Sequence, residues 1–362
     1  MSWLLVIFGF CLLIVLHEAG HFFAAKATGM RVEKFSLFFG PKIFSFKRGE
    51  TEYGIATIPA GGYVKISGMT PDEKLPPGEE HRGYYAQPVW KRIVVIGAGP
   101  TVNIILALTI FFVLALGASE VTQTVGKIIP GSPAATALKR GDKVIAVDGK
   151  SYPSLDRGAR REHFNEDISS HKCGGEQQAG CRAATPVKLT IERDGSVKTI
   201  KVRPEYRSNE KRTLIGFSYG STPANLGVGG AARLALSGAW FIAHETATRF
   251  ARIFDAEERK QISSVVGISD VAHQTIEISA ERTLFLLAVV SLSLGLINLF
   301  PFLPLDGGHI FWSLVEKLRG KRVSFRVMEQ ASVVGFLLVM VLFVIGLTND
   351  IGRITGEGFN VR

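Results

Sequence analysis

Hydrophobic and polar positions along the chain fall into long apolar runs separated by polar stretches. Four runs approach or exceed the roughly 20 residues that a bilayer core requires: Trp3 to Ala25, Ile93 to Ala118, Leu284 to Leu303 and Ala331 to Leu347. Two of these are unusual. The first carries His17, Glu18 and His21, and the third is interrupted by Pro301 and Pro304 and runs into Asp306. Ionisable side chains at membrane depth are costly and usually functional, and helix breakers are tolerated there only inside protein or beside a cavity. The pattern predicts a multi-pass α-helical membrane protein with four transmembrane helices.

Between the runs the periodicity changes. Residues 53–59 and 61–66, around a Pro-Ala-Gly-Gly stretch, predict a membrane-associated β-hairpin beside the first span. Its edge could accept an extended peptide by strand addition; a hairpin with no substrate role is the alternative. Residues 70–83 are rich in Pro, Glu and Gly and read as a flexible loop. Residues 121–204 form a separate unit of short strands: Thr124 to Ile129, a helix opening at Gly131-Ser132-Pro133, Lys143 to Val147, then Val187, Leu189 and Ile191 turning at Asp194-Gly195 into Lys198 to Val202. A chain of about 80 residues can form an independent core. Within this unit, residues 154–184 are an unusually polar insertion. From Leu236 through Trp240, Ala247, Ala251 and Phe254, apolar residues recur at helical spacing and predict an amphipathic helix.

The expected organisation is a first transmembrane helix (1–27), a cytoplasmic loop with the hairpin (28–92), a second transmembrane helix (93–118), an inserted α+β domain (119–205), and a connector with the amphipathic helix (206–283). A third span with the aspartate (284–309), a cytoplasmic loop (310–330), a fourth transmembrane helix (331–348) and a tail (349–362) complete it.

Composition supports this reading, with 362 residues, 46% of them hydrophobic, and a positive mean hydropathy. The first segment lacks a basic leader and a small-residue cleavage site, so it is read as retained. The formal charge of +10 comes largely from Lys and Arg that flank the first two spans and lie between the last two. Those loops are expected to be cytoplasmic, with the inserted domain outside. The charge therefore reports topology and contact with the lipid bilayer, and no nucleic acid partner is expected. In an oxidising outer compartment Cys173 and Cys181 are a candidate disulfide. A second zinc site with His163 and His171, or two free thiols, are the alternatives. Cys11 reads as a packing residue.

Residues 17–21, His-Glu-Ala-Gly-His, place two imidazoles one helical turn apart, able to reach one Zn²⁺, with Glu18 beside the metal's water. A third ligand is needed. Asp306 is the best candidate, because Pro301 and Pro304 stop regular helix while Gly307 and Gly308 allow close backbone approach; a solvated helix-end aspartate is the bland reading. Zinc on His17, His21 and Asp306 would lower the pKa of its water towards about 7. Glu18 would then take the water proton and deliver it to the leaving amine. A membrane metal transporter and a catalytically silent scaffold are rival functions. Transport needs no base at position 18, and a scaffold would not retain a complete triad.

These two motifs resemble the site-2 protease family of intramembrane zinc metalloproteases, and within it the bacterial regulator of sigma-E protease group. The resemblance extends to Gly99-Pro100-Thr101-Val102-Asn103 and to the Asn298 to Gly307 run. Residues 121–204 resemble a bacterial PDZ domain in Pro130-Gly131-Ser132-Pro133-Ala134-Ala135 and in the Arg140-Gly141-Asp142 to Gly149 stretch. The resemblance implies a zinc endopeptidase of the inner membrane, cutting a transmembrane helix of a partly processed single-span protein, an anti-sigma factor or remnant signal peptide, after an upstream site-1-type protease has acted. It also implies that Asn298 binds substrate backbone or the oxyanion, and that Asn103 assists packing or substrate binding. Three features depart from the family pattern: a single PDZ unit, its Cys-containing insertion, and Ser264-Val265 where Gly-Pro is expected.

Overall fold

The computed structural model describes residues 2–70, 73, 75–208, 210–252 and 255–356. The chain divides into two compact units, Met1–Leu116 with Gly227–Arg362, and Gly117–Leu226.

The first unit opens with α1 (Ser2–Ala27), whose buried residues include Leu13, His17, Gly20, His21 and Ala25 at three- and four-residue spacing. Leu4, Leu5, Phe8 and Phe23 remain exposed on the same helix, as expected of a helix solvated by lipid. Strands β1 (Val32–Arg48) and β2 (Thr51–Ile66) follow as an antiparallel pair. This corrects the expected hairpin. The turn lies at Gly49-Glu50, residues 53–66 belong to one strand, and the partner is a 17-residue strand in what read as loop. Residues 34–37 pair on one side with residues 62–65 and on the other with residues 52–55. The first arm does not read as a strand because the adjacent apolar pairs Phe38-Phe39 and Ile43-Phe44 interrupt its alternation of apolar and polar residues. Helix α2 (Val89–Leu116) returns along α1 and buries Arg92, Val95, Ile96, Gly99, Asn103 and Ala107 on one face. Phe22, Ala25, Met30, Val32, Ile66, Tyr84 and Val95 form the apolar cluster that ties the strands to the two helices.

The second unit contains β3 (Ser119–Ile128), α3 (Pro133–Ala137), β4 (Lys143–Val147), α4 (Arg157–Ser170), β5 (Val187–Arg193), β6 (Ser196–Val202), β7 (Glu205–Arg207), β8 (Arg212–Leu214) and β9 (Phe217–Pro223). Five strands form one sheet in the order β6-β5-β4-β3-β9. The expected boundary at 205 was too early, because β9 pairs with β3 across the sheet. The polar insertion is also partly regular. Asp156 caps α4 by accepting from the backbone N–H groups of Gly158 and Ala159, and Phe164 and Ile168 enter the core beside Val125, Val144 and Leu189. With only those two residues of α4 buried, its helical period barely shows in the sequence. Cys173 and Cys181 are bridged, their Cα atoms 6.2 Å apart. The His171 ring is engaged elsewhere, with Asp148 at 2.8 Å and the Thr185 hydroxyl at 2.7 Å.

The chain then re-enters the first unit through α5 (Gly227–Ala251), α6 (Ala256–Arg259), α7 (Val265–Ile278), α8 (Ala280–Asn298), α9 (Asp306–Arg319) and α10 (Phe325–Thr355). Ala235 and Ala239 of α5 pack with Ala107 and Phe111 of α2 and Ala288 and Leu292 of α8. Among the described residues α1, α2, α8 and α10 are long and apolar enough to cross a membrane. The third apolar run ends as helix at Asn298, and Asp306 opens a new helix instead of closing that span. Helix α9 occupies the first half of the stretch expected to be a cytoplasmic loop. The seven-residue break follows from Pro301 and Pro304, which lack an N–H and disfavour helix in the residue before them. Ser264, one of the departures from the family pattern, caps α7 by accepting from the Val266 N–H. Buried Asp350 of α10 in turn accepts from Ser264 N, Ser264 Oγ and Gly267 N at 2.7, 2.7 and 3.0 Å, fastening α10 to α7.

Candidate active site

Two helical turns bring three donor atoms to one point. His17 and His21 share the buried face of α1 because four residues advance about one turn, and their Nε2 atoms are 3.2 Å apart. Asp306, in the first turn of α9, places Oδ2 3.2 Å from His17 Nε2 and 3.3 Å from His21 Nε2. Four tetrahedral ligands at the usual Zn–N and Zn–O distances sit about 3.3 Å from one another, so this triangle has the dimensions of a zinc face. Its chemistry agrees. Asp306 Oδ2 is buried and makes no well-formed hydrogen bond, leaving three lone-pair donors directed at one another with room for a cation between them.

Helix α2 closes the back of the cluster. His21 Nδ1 donates to the Val95 carbonyl at 2.9 Å, which leaves the Nε2 lone pair directed at Asp306. Gly99 lies one turn on, where a Cβ would fall 2.3 Å from His21 Nε2 and 2.9 Å from His17 Nε2. Only a residue without a side chain keeps that space open. Asn103 is a further turn along α2, fully buried, with its amide 3.2 Å from His17 Nδ1. Glu18 is half-buried beside the cluster, and β2 runs directly against it, since a Cβ on Gly62 would lie 2.8 Å from Glu18 Cγ.

The cluster therefore consists of His17, His21 and Asp306, with Asn103 joined to it through His17. Asn298 closes α8, half-buried, and lies outside it. Sequence reasoning missed the Val95 carbonyl, the cavity held open by Gly99, and the Arg92–Glu316 pair that links α2 to α9. The signal for the first two was the four-residue recurrence of Val95, Gly99 and Asn103, one face of a helix facing the histidine helix.

The peptidase family M50 model matches residues 5–342. The chain belongs to peptidase family M50. A Clostridium perfringens protein whose name places it among the zinc metalloproteases is 32% identical over 356 residues, covering 94% of this chain and 96% of that protein. The zinc metalloprotease Rip1 of Mycobacterium tuberculosis is 30% identical over 393 residues, covering 93% and 91% of the two chains. This M50 peptidase is a zinc metalloendopeptidase with several membrane-length apolar helices, a multi-pass membrane protein whose metal is zinc.

Proposed function

We propose that His17, His21 and Asp306 hold the zinc, that Glu18 is the general base, and that the enzyme cuts a peptide bond within a transmembrane helix of a partly processed membrane protein. The observation that carries this reading is the place of the cluster: its three donor atoms come from α1 and from the helix that follows the broken end of α8, both α1 and α8 being apolar enough to lie in lipid. Zinc bound there supplies a Lewis acid that makes water acidic enough to ionise near neutral pH and polarises the carbonyl under attack.

The chain's own residues do the rest. Glu18 accepts the proton of the attacking water and passes it to the nitrogen of the breaking C–N bond, a role worth about 10² to 10⁴ in rate. Asp306 and the two imidazoles hold their lone pairs on one point, and α2 excludes water from behind them. A helical peptide bond is shielded by its own hydrogen bonds, so the substrate must be extended before attack. Strand β2, packed against Glu18, offers main-chain partners for such a segment, and Asn298, at the end of α8, is the side chain we assign to bind its backbone.

We read residues 117–226 as a PDZ-like domain outside the cytoplasm of a cell whose inner membrane holds the four spans. The Lys and Arg content of the 28–92 and 310–330 segments supports that orientation. There the domain restricts entry of substrates that an upstream site-1-type protease has not yet trimmed; capture of the new C-terminus is the competing role. The test is zinc content and cleavage of a single-span substrate on the same preparations. E18Q should retain zinc and lose cleavage, whereas H17A and D306N should lose both. Full turnover by E18Q, or stoichiometric zinc in H17A and D306N, overturns the assignment. Deleting residues 117–226 should admit untrimmed substrate; slower cleavage of trimmed substrate with untrimmed substrate still refused supports capture instead.

A further inference from the structure

Among the described residues Asn103 is the one wholly buried carboxamide beside the cluster, and its hydrogen bonding is incomplete. Its side-chain nitrogen faces His17 Nδ1 at 3.2 Å, while its oxygen, equally buried, has no hydrogen-bond partner. Oxygen and nitrogen exchange positions on half a turn of the amide, so the protonation of the neighbouring ring decides which of them faces it. An imidazole that gives its Nε2 lone pair to a metal is neutral and carries its proton on Nδ1. A donor then faces a donor, unless the amide turns its oxygen to the ring.

His21 shows the same arrangement already satisfied. Its Nδ1 faces the Val95 carbonyl at 2.9 Å, a group that can only accept. Val95 and Asn103 stand two turns apart on the face of α2 that lies against α1, one behind each histidine, with Gly99 between them. The Asn103 backbone is itself held, its carbonyl accepting from Ser291 Oγ of α8 at 2.8 Å.

We propose that Asn103 is the positioning residue of His17: its carboxamide oxygen accepts the Nδ1–H of the ring, which fixes the tautomer and the aim of Nε2 at the point shared with His21 and Asp306. Outer partners of this kind typically account for about 10- to 100-fold in metal affinity. The inference rests on the metal reading of the cluster, and it gives Asn103 no contact with substrate.

The experiment titrates zinc against a chromogenic chelator on the full-length protein in detergent, comparing wild type, H17A, N103L and N103D. N103L keeps the volume and removes the acceptor; N103D keeps an acceptor in the same place. N103L should bind zinc at least tenfold more weakly, and N103D should match wild type or exceed it. Less than a fivefold loss in N103L overturns the proposal, as does a loss beyond fivefold in N103D, which would mean that packing and not acceptance matters. If N103L does not fold, N103D decides alone by the same fivefold limit. A wild type without stoichiometric zinc, or an H17A that binds it normally, instead overturns the metal reading itself.

Discussion

The guanidinium of Arg92 holds the carboxylate of Glu316 through two hydrogen bonds of 2.9 and 2.8 Å, one from each terminal nitrogen. Arg92 is nearly inaccessible to solvent and lies over the rings of Tyr84 and Tyr85. The pair joins α2, which carries the acceptors behind both histidines, to α9, which begins with Asp306. Breaking one half leaves a buried charge without its counterpart, at about 3 kcal/mol. E316A is therefore expected to lower thermal stability and to weaken zinc binding together. Differential scanning of the zinc-loaded and chelated protein checks this, and an unchanged affinity would separate the pair from the site.

Two glycines divide the site into metal and base. G99A puts a methyl group beside both Nε2 atoms and should reduce zinc affinity by more than tenfold. G62A presses on the Glu18 side chain and should leave zinc stoichiometric while cutting kcat by about 100-fold, the effect of misplacing a reacting group by around 1 Å. Metal analysis and turnover on both variants test the division. Equal effects of the two substitutions on zinc would refute it.

The Cys173–Cys181 bridge closes a short loop, the two positions being eight residues apart. On the chain-entropy argument it stabilises its unit by about 2.5 kcal/mol. Reduction, or the C173S/C181S variant, should lower the unfolding midpoint of residues 117–226, followed by limited proteolysis of the intact protein. Thiol labelling of intact cells tests the bridge in place; full labelling without prior reduction argues against it.

Asp142 is expected to make the second unit sensitive to acid. Arg193 donates to both its oxygens, at 2.7 and 2.6 Å, and the Lys139 backbone N–H adds a third bond at 2.7 Å. The Arg193 guanidinium, foremost, holds the Asp142 carboxyl below its ordinary value. A lowered folded-state pKa contributes stability that is fully present above the unfolded value, near 4, and is lost as the pH falls through the folded one. Proteolytic resistance of this unit should be level between pH 5 and 7 and fall below pH 4. D142N should be less resistant at neutral pH and flatter in acid, and an acid profile identical to wild type would rule Asp142 out.

Sequence alone determined the parts of this protein that rest on local rules. His17 and His21 share a face because an α-helix has 3.6 residues per turn, and the four long apolar segments follow from bilayer thickness. The break before Asp306 follows from proline's missing N–H. Tertiary structure decided the rest. No local rule states that a carbonyl at Val95, a bare Cα at Gly99 and an amide at Asn103 stand behind the histidines, because that depends on which faces of α1 and α2 meet. The strand from Val32 to Arg48 was hidden because Phe38-Phe39 and Ile43-Phe44 break the alternation that marks a half-buried strand, so only its pairing reveals it. Strand β9 joined the second unit by pairing with a strand about 100 residues earlier, a hydrogen-bonded register that the local pattern at Phe217–Pro223 does not encode.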